Sequence, residues 1–442
     1  MNFKPCFKCI CIFLLICTFQ SLNAQIFHAT NIPRGGRYDD VTFVNNNIGY
    51  TGISSRVYKT INGGDDWTLV SRIDTNAAFR TYSRSIDFID EDTGFVGTLS
   101  VSTYKGGIYR TTNKGVSWKK VLEVSSTSEG VCGMAHFGNT VIGVGTYAGM
   151  PKLYVSTNYG RSFITYDLSL VASALVDCYM VDQFTYYIAG MSLDSLGSKP
   201  LILKTTDGGL TFTTVALFNT VSGYIWKMYF NSNGVGLASV ENNFSDPSMN
   251  GYVLRTTDSG NAWQGHLVDT VKGNFGGVIV LNNNIAFIGD QHNYGMWKSS
   301  NGGVDWQRMP FSADTTRACN RMILLDNNKV VISGSYIYTS TGAITGTKNN
   351  KYEIAAIHTI KVNPTLVANT SSVNIALEAM ESTMGLVEIF NLNGQVVYKD
   401  AIKTFDKGKY NMQVDISNFS KGIYFAVWKT NEIFVQDKFV IQ

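Results

Sequence analysis

Four cations hold comparable places along a largely uncharged chain. Arg37, Arg84, Lys227 and Arg321 each lie near the start of a strand-like run that opens a repeated unit. Brought to one point they would attract an anionic group; kept apart they are solvated surface charges. The stretches between the units carry Tyr82, Tyr104, Tyr147, Trp226, His292 and Tyr294, rings suited to stacking on a sugar or a peptide. Glycoside hydrolysis would need two carboxyl groups opposed across a cleft. Glu241, Asp246, Asp194 and Asp290 stand in candidate loops, but spacing pairs none of them, so no catalytic residue is assigned.

Other chemistries are not signalled. No phosphate-cradling glycine loop, H-E-x-x-H helix or G-x-S-x-G elbow occurs. His28, His136, His266, His292 and His358 are dispersed. Four cysteines (Cys6, Cys9, Cys11, Cys17) lie in the N-terminal leader, leaving Cys132, Cys178 and Cys319. Their spacing matches no zinc site, and a single Cys132–Cys178 bridge is compatible with it. Neither metal nor cofactor is expected. A net charge of +3 over 442 residues, with no Lys/Arg stripe, argues against nucleic acid.

The elements that must position these residues form a repeat. Six turns share one pattern: apolar strand, Thr or Ser, Asn or Asp, Gly, then an aromatic ring. They are Asn62-Gly64-Trp67, Asn113-Gly115-Trp118, Asn158-Gly160-Phe163, Asp207-Gly209-Phe212, Asp258-Gly260-Trp263 and Asn301-Gly303-Trp306, counting only those three positions of each. The Asn or Asp can bond its own backbone two residues on, and the glycine supplies a positive φ. The aromatic buries its ring against the neighbouring unit. A worn seventh copy runs from Tyr336 to Gly342.

Between copies lies an alternating strand, a short polar turn and an apolar strand ending in glycine, as in 41–52 and 86–97. Each unit therefore supplies about four strands. The Asn/Asp positions fall 51, 45, 49, 51 and 43 residues apart, a period that suits propeller blades. The fold class is all-β: a seven-bladed β-propeller over 25–347, followed by a small β-sandwich over 355–442. The last unit lacks its outer strand, and residues 25–33 are placed to supply it and close the ring.

The first 24 residues read as a signal peptide. Lys4 and Lys8 precede an apolar run from Ile10 to Phe19, and Ala24 offers a small residue at the cut. That run is too short for a permanent anchor, and no other stretch approaches membrane-spanning length.

The repeated turn resembles the Asp-box (BNR repeat) of sialidases, sortilin-type receptors, glucanase propellers and the photosystem II assembly-factor family. The Asp90–Gly97 element looks most like the last of these. The resemblance covers 25–345 and implies the fold; in those families the box is a structural turn far from the site. Residues 355–442 resemble the C-terminal sorting domain of type IX secretion cargo in Bacteroidetes. The matching pieces are 389–398, 415–425 and the terminal Lys438-Phe439-Val440-Ile441; the usual opening motif is reduced to Asn363-Pro364. This implies a secreted or outer-membrane-surface protein whose tail engages the type IX machinery. The expected function is a non-catalytic binding or scaffold propeller with an extracellular protein or glycan partner. The alternative is an extracellular glycoside hydrolase, sialidase-like or glucanase-like. Against the first, Asn31-Ile32-Pro33-Arg34 lacks a leading arginine. Against the second, such glucanases set two propellers around a cleft.

Overall fold

The computed structural model describes residues 27–340 and 359–442, apart from short stretches at 75–80, 102–104, 127, 146–149, 194–197, 243–249, 271–272, 282–284, 292–294, 310–317, 327, 369, 380–381, 392–394 and 431–433. The leader expected at 1–24 and the connection 341–358 lie outside the described residues.

Seven antiparallel sheets of four strands each follow one another as blades, at 41–72, 82–123, 133–167, 172–217, 223–269, 275–309 and 319–340. The seventh draws its fourth strand from the other end of the chain. Phe27–Ala29 pairs with Ile337–Ser340, so that Phe27 faces Ser340 and Ala29 faces Tyr338. Only three residues pair, but the seam is sewn further on. Thr30 N donates to Ile337 O (2.9 Å), Tyr38 N to Gly334 O (2.7 Å), and the Asn320 amide to Tyr38 O (2.9 Å). Phe27 itself is fully buried.

Apolar residues cannot be covered within one blade, so the core lies between blades. Tyr50 and Val57 of the first pack with Ile86, Phe88 and Val96 of the second. Phe43, Tyr58 and Trp67 of the first pack with Leu325, Val331 and Ile337 of the seventh. Each interface depends on two consecutive repeats, which is why the period had to persist around the ring.

The repeated turn joins the third and fourth strands. In all six copies the Thr or Ser hydroxyl donates to the Asn or Asp carbonyl or carboxyl oxygen, at 2.7–2.9 Å. The same hydroxyl accepts the glycine N–H, at 2.8–3.1 Å. The Asn or Asp oxygen accepts the backbone N–H four residues on, as from Asp66 to Asn62 (3.0 Å), not two residues on as expected. The longer reach arises because two successive residues are left-handed. Gly64 (φ 89°) follows Gly63 (φ 72°), and Gly160 (φ 66°) follows Tyr159 (φ 60°). The ring closing the turn sits between its own blade and the one before, as Trp118 does beside Phe88 and Tyr50.

The C-terminal region forms two sheets. One holds Thr359–Asn363, Ser372–Ala379 and Gly408–Asp415. The other runs Leu366–Val367, Phe434–Ile441, Gly422–Thr430, Thr383–Asn391 and Val396–Lys399, with Lys403–Phe405 also on Thr383–Asn391. Val373, Ile375, Val387, Ile389, Trp428 and Phe439 fill its core. The dipeptide Asn393-Gly394, by its residue types a hairpin turn signal, lies outside the described residues. The strand Gly408–Asp415 alternates strictly, with Tyr410, Met412 and Val414 turned to the core and the polar residues between them turned outward.

Candidate functional site at the channel mouth

The first strand of each blade lines the central channel. In five blades this strand is bulged against its neighbour, between Ser83 and Ser85, Leu175 and Asp177, Ile225 and Met228, Phe275 and Val278, and Cys319 and Arg321. A bulge adds a residue on one side and re-aims the side chains around it. Backbone groups displaced there are taken up by serines of the second strand. Lys227 N donates to Ser239 Oγ and Arg321 N to Ser333 Oγ, both at 3.1 Å.

The re-aimed side chains meet. Asp39 Oδ1 lies 2.5 Å from both Arg37 Nε and Arg84 Nη1. Arg321 Nε lies 2.8 Å from Asp40 Oδ1, and its Nη2 lies 2.6 Å from Asp177 Oδ1. Lys227 Nζ stands 3.4 Å from the same Asp177 oxygen. Asp177 also accepts Met228 N (2.8 Å), and Asp40 accepts Val41 N (3.1 Å). The Trp226 ring carries the guanidinium carbons of Arg84 at 4.3 Å and Arg37 at 5.0 Å. Arg37 Nη2 donates to Gln291 (2.7 Å), whose amide reaches Glu241 (3.4 Å).

The electrostatics follow from burial. Burial pushes the Asp39 carboxyl up, but Arg84, Arg37 and a hydrogen bond from Tyr82 outweigh it and leave it below the usual range. Asp177 is likewise lowered: burial opposes, while Arg321, Lys227 and the Met228 N–H prevail. Burial, then Arg321, pulls Lys227 down despite Asp177. Glu241 is raised, chiefly by burial, against the pull of Arg37 and Arg84.

All four cations expected to converge do so, at the ends of the first strands fed by the inter-blade connections. The repeat turns end the third strands, which run parallel to the first, and so lie at the opposite face. The picture of uncompensated charge at the mouth is corrected. Asp39, Asp40 and Asp177 interleave with the cations, and Lys227 is 1% exposed. These three aspartates were missed in the sequence. The signal for Asp177 was a charge interrupting the apolar run Ala174–Met180. Of the aromatics, Trp226 and Tyr82 join the cluster; Tyr104, Tyr147, His292 and Tyr294 lie outside the described residues, as do Asp194 and Asp246. Glu241 and Asp290 are both buried, and Asp290 accepts Asn274 N at 2.8 Å.

The thiols of Cys132, Cys178 and Cys319 are buried and unbridged, so the Cys132–Cys178 link does not form. Elsewhere in the ring His136 Nδ1 lies 2.7 Å from Asp87. Among the described residues no group of three or more His, Cys, Asp or Glu could hold a metal, and no helix is long and apolar enough to cross a membrane.

Fold and hub together define a seven-bladed propeller with an ion-paired plug, carrying a small β-sandwich. Residues 363–442 match the family model of the secretion system C-terminal sorting domain. The chain thus bears a type IX sorting tail and is secreted by that system to the cell surface or outside. No curated protein matches the chain in sequence. Its fold is similar to YCF48 bound to D1 peptide (15% identity, 73% of this chain and 99% of that chain, TM-score 0.52). It is also similar to the GH74 xyloglucanase from Xanthomonas campestris (12% identity, 80% and 59% covered, TM-score 0.53). A third similar structure is PorZ, a surface component of the type-IX secretion system of Porphyromonas gingivalis (13% identity, 93% and 60% covered, TM-score 0.51).

Proposed function

We propose that the propeller is a non-catalytic extracellular binding module whose loop face takes a protein segment. One observation carries this reading. Every described carboxylate at the channel mouth is buried and already bonded: Asp39, Asp40 and Asp177 to cations, Glu241 to Gln291, Asp290 to a backbone N–H. A hydrolase needs two carboxyl groups reachable by substrate and water; here the acids serve as struts.

The rim supports a protein partner over a glycan. The turn after the third blade's last strand is pinned by Ala172 N to Leu168 O (3.0 Å) and by the Asp167 carboxylate on Ser169 N (2.9 Å). It holds Leu170 90% exposed, and Met150 and Leu193 nearby are 52% and 62% exposed. Ordered, projecting apolar side chains on a secreted protein suit a peptide surface. A solved YCF48 structure contains a bound peptide, which is in keeping with this use of the fold.

The test is a protein-interaction capture with the secreted protein, set beside a glycan array and a chromogenic glycoside panel. Saturable protein binding lost in Leu170→Asp, without glycoside turnover, is expected. Turnover abolished by Glu241→Gln would overturn the reading in favour of a glycoside hydrolase.

A further inference from the structure

The strand Gly408–Asp415 ends its three-stranded sheet among the described residues. It pairs with Ser372–Ala379 through eight consecutive residues without a bulge. Its other edge is a row of backbone donors and acceptors with no strand beside it among the described residues. Exposed edges are normally blunted by shortness, proline, bulges or charge. The remaining edges of this domain follow that rule. Leu366–Val367 has two residues, Val396–Lys399 has four and a register shift, and Thr359–Asn363 runs into Pro364. Among the described residues Gly408–Asp415 is the longest of these edges and is regular throughout, with charge at Lys409 and Asp415 alone.

Its sequence complements itself. Lys409, Asn411, Gln413 and Asp415 all point to solvent, while Tyr410, Met412 and Val414 face the core. Two copies laid antiparallel about Met412 would set Lys409 opposite Asp415, Asn411 opposite Gln413, and Tyr410 opposite Val414, each pair twice. Opposed charges on directly facing residues are favourable, and like charges are not. A slip of two residues removes both Lys–Asp pairs, and a slip of one turns the core face outward. The existing Lys409–Glu378 contact is long (3.8 Å) and exposed on both sides, so it does not hold Lys409 back.

We propose that a second copy of this chain occupies that edge, through antiparallel pairing of Gly408–Asp415 centred on Met412. The two three-stranded sheets then become one of six strands. The pairing lies wholly within the sorting domain. It is independent of what the propeller binds.

Sedimentation velocity of residues 25–442 over a wide concentration range tests it. The unaltered chain should show a monomer–dimer equilibrium. Lys409→Asp and Asp415→Lys should each weaken dimerisation at least about tenfold. The double variant, with the charges exchanged, should recover it to within about threefold. Circular dichroism melts of each variant separate loss of pairing from loss of folding. A monomer at all concentrations, a dimer indifferent to both single changes, or failure of the double variant to recover would each overturn the proposal. A monomer whose export is nonetheless blocked by these changes would assign the edge to the secretion machinery instead.

Discussion

Arg321, in the seventh blade, reaches across the channel to Asp177, in the fourth, with Nη2 2.6 Å from Oδ1. The same guanidinium holds Asp40, which precedes the first blade's inner strand, at 2.8 Å. One side chain thus braces three blades, including the pair at which the ring closes. Replacing it with Arg321→Met takes the guanidinium from Asp40 and leaves Asp177 only the longer Lys227 pair, which should cost about 3–5 kcal/mol. Adding Asp177→Asn should cost less than the sum of the two single changes, because it removes one of those two carboxylates. Denaturant titrations of the four proteins measure the coupling.

The acids of the hub pull stability in opposite directions with pH. Asp39 and Asp177 are lowered in the fold, so their stabilisation is full above the ordinary aspartate range and is lost as pH falls through the folded values. Glu241 is raised, so it favours the fold at low pH and opposes it once pH climbs past its folded value. Glu241→Gln should therefore raise the melting temperature near pH 8 and lose that advantage below about pH 4. Melting curves across that range give the sign directly; an unchanged offset at all pH values would contradict it.

The repeat turn at 156–163 offers a pair of opposite outcomes. A methyl added at Gly160 would sit 2.0 Å from Phe95 Cε1, on a backbone with φ +66°. Gly160→Ala should destabilise by roughly 2–5 kcal/mol through strain and overpacking together. One residue earlier, Tyr159 holds φ 60° while 45% exposed. Tyr159→Gly should be stabilising by about 0.5–1 kcal/mol, the strain relieved outweighing the partial burial lost with the ring. Thermal melts of the two variants should move in opposite directions.

Closure by the N-terminal strand predicts that a distant truncation loosens the last blade. Removing 25–33, or Phe27→Ala alone, deletes a ring packed edge-on against Phe287 at 5.8 Å. Phe27→Ala should cost about 3–5 kcal/mol. Hydrogen exchange should rise first in Val330–Gly334 and Ile337–Ser340, the strands nearest the lost one.

Much of the fold was written in local chemistry. The Asn62-Gly64-Trp67 spacing and its five copies set the hairpins, because each needs only bonds between residues a few positions apart. Six such turns at a steady period, with a missing outer strand at one end and a spare one at the other, determined the blade count and the closure. The tail was equally legible from its own strand pattern, apart from Gly408–Asp415. What the sequence could not supply was the partner of each charge. It placed Arg37, Arg84, Lys227 and Arg321 at strand starts, which is a one-dimensional fact. Whether they attract a ligand or neutralise neighbours depends on which side chains the bulges turn inward. Asp177 lies 144 residues from Arg321 and 50 from Lys227, and only the curvature of the ring brings all three to one point. Burial then does the rest, since charges removed from water must find opposite charges or hydrogen bonds.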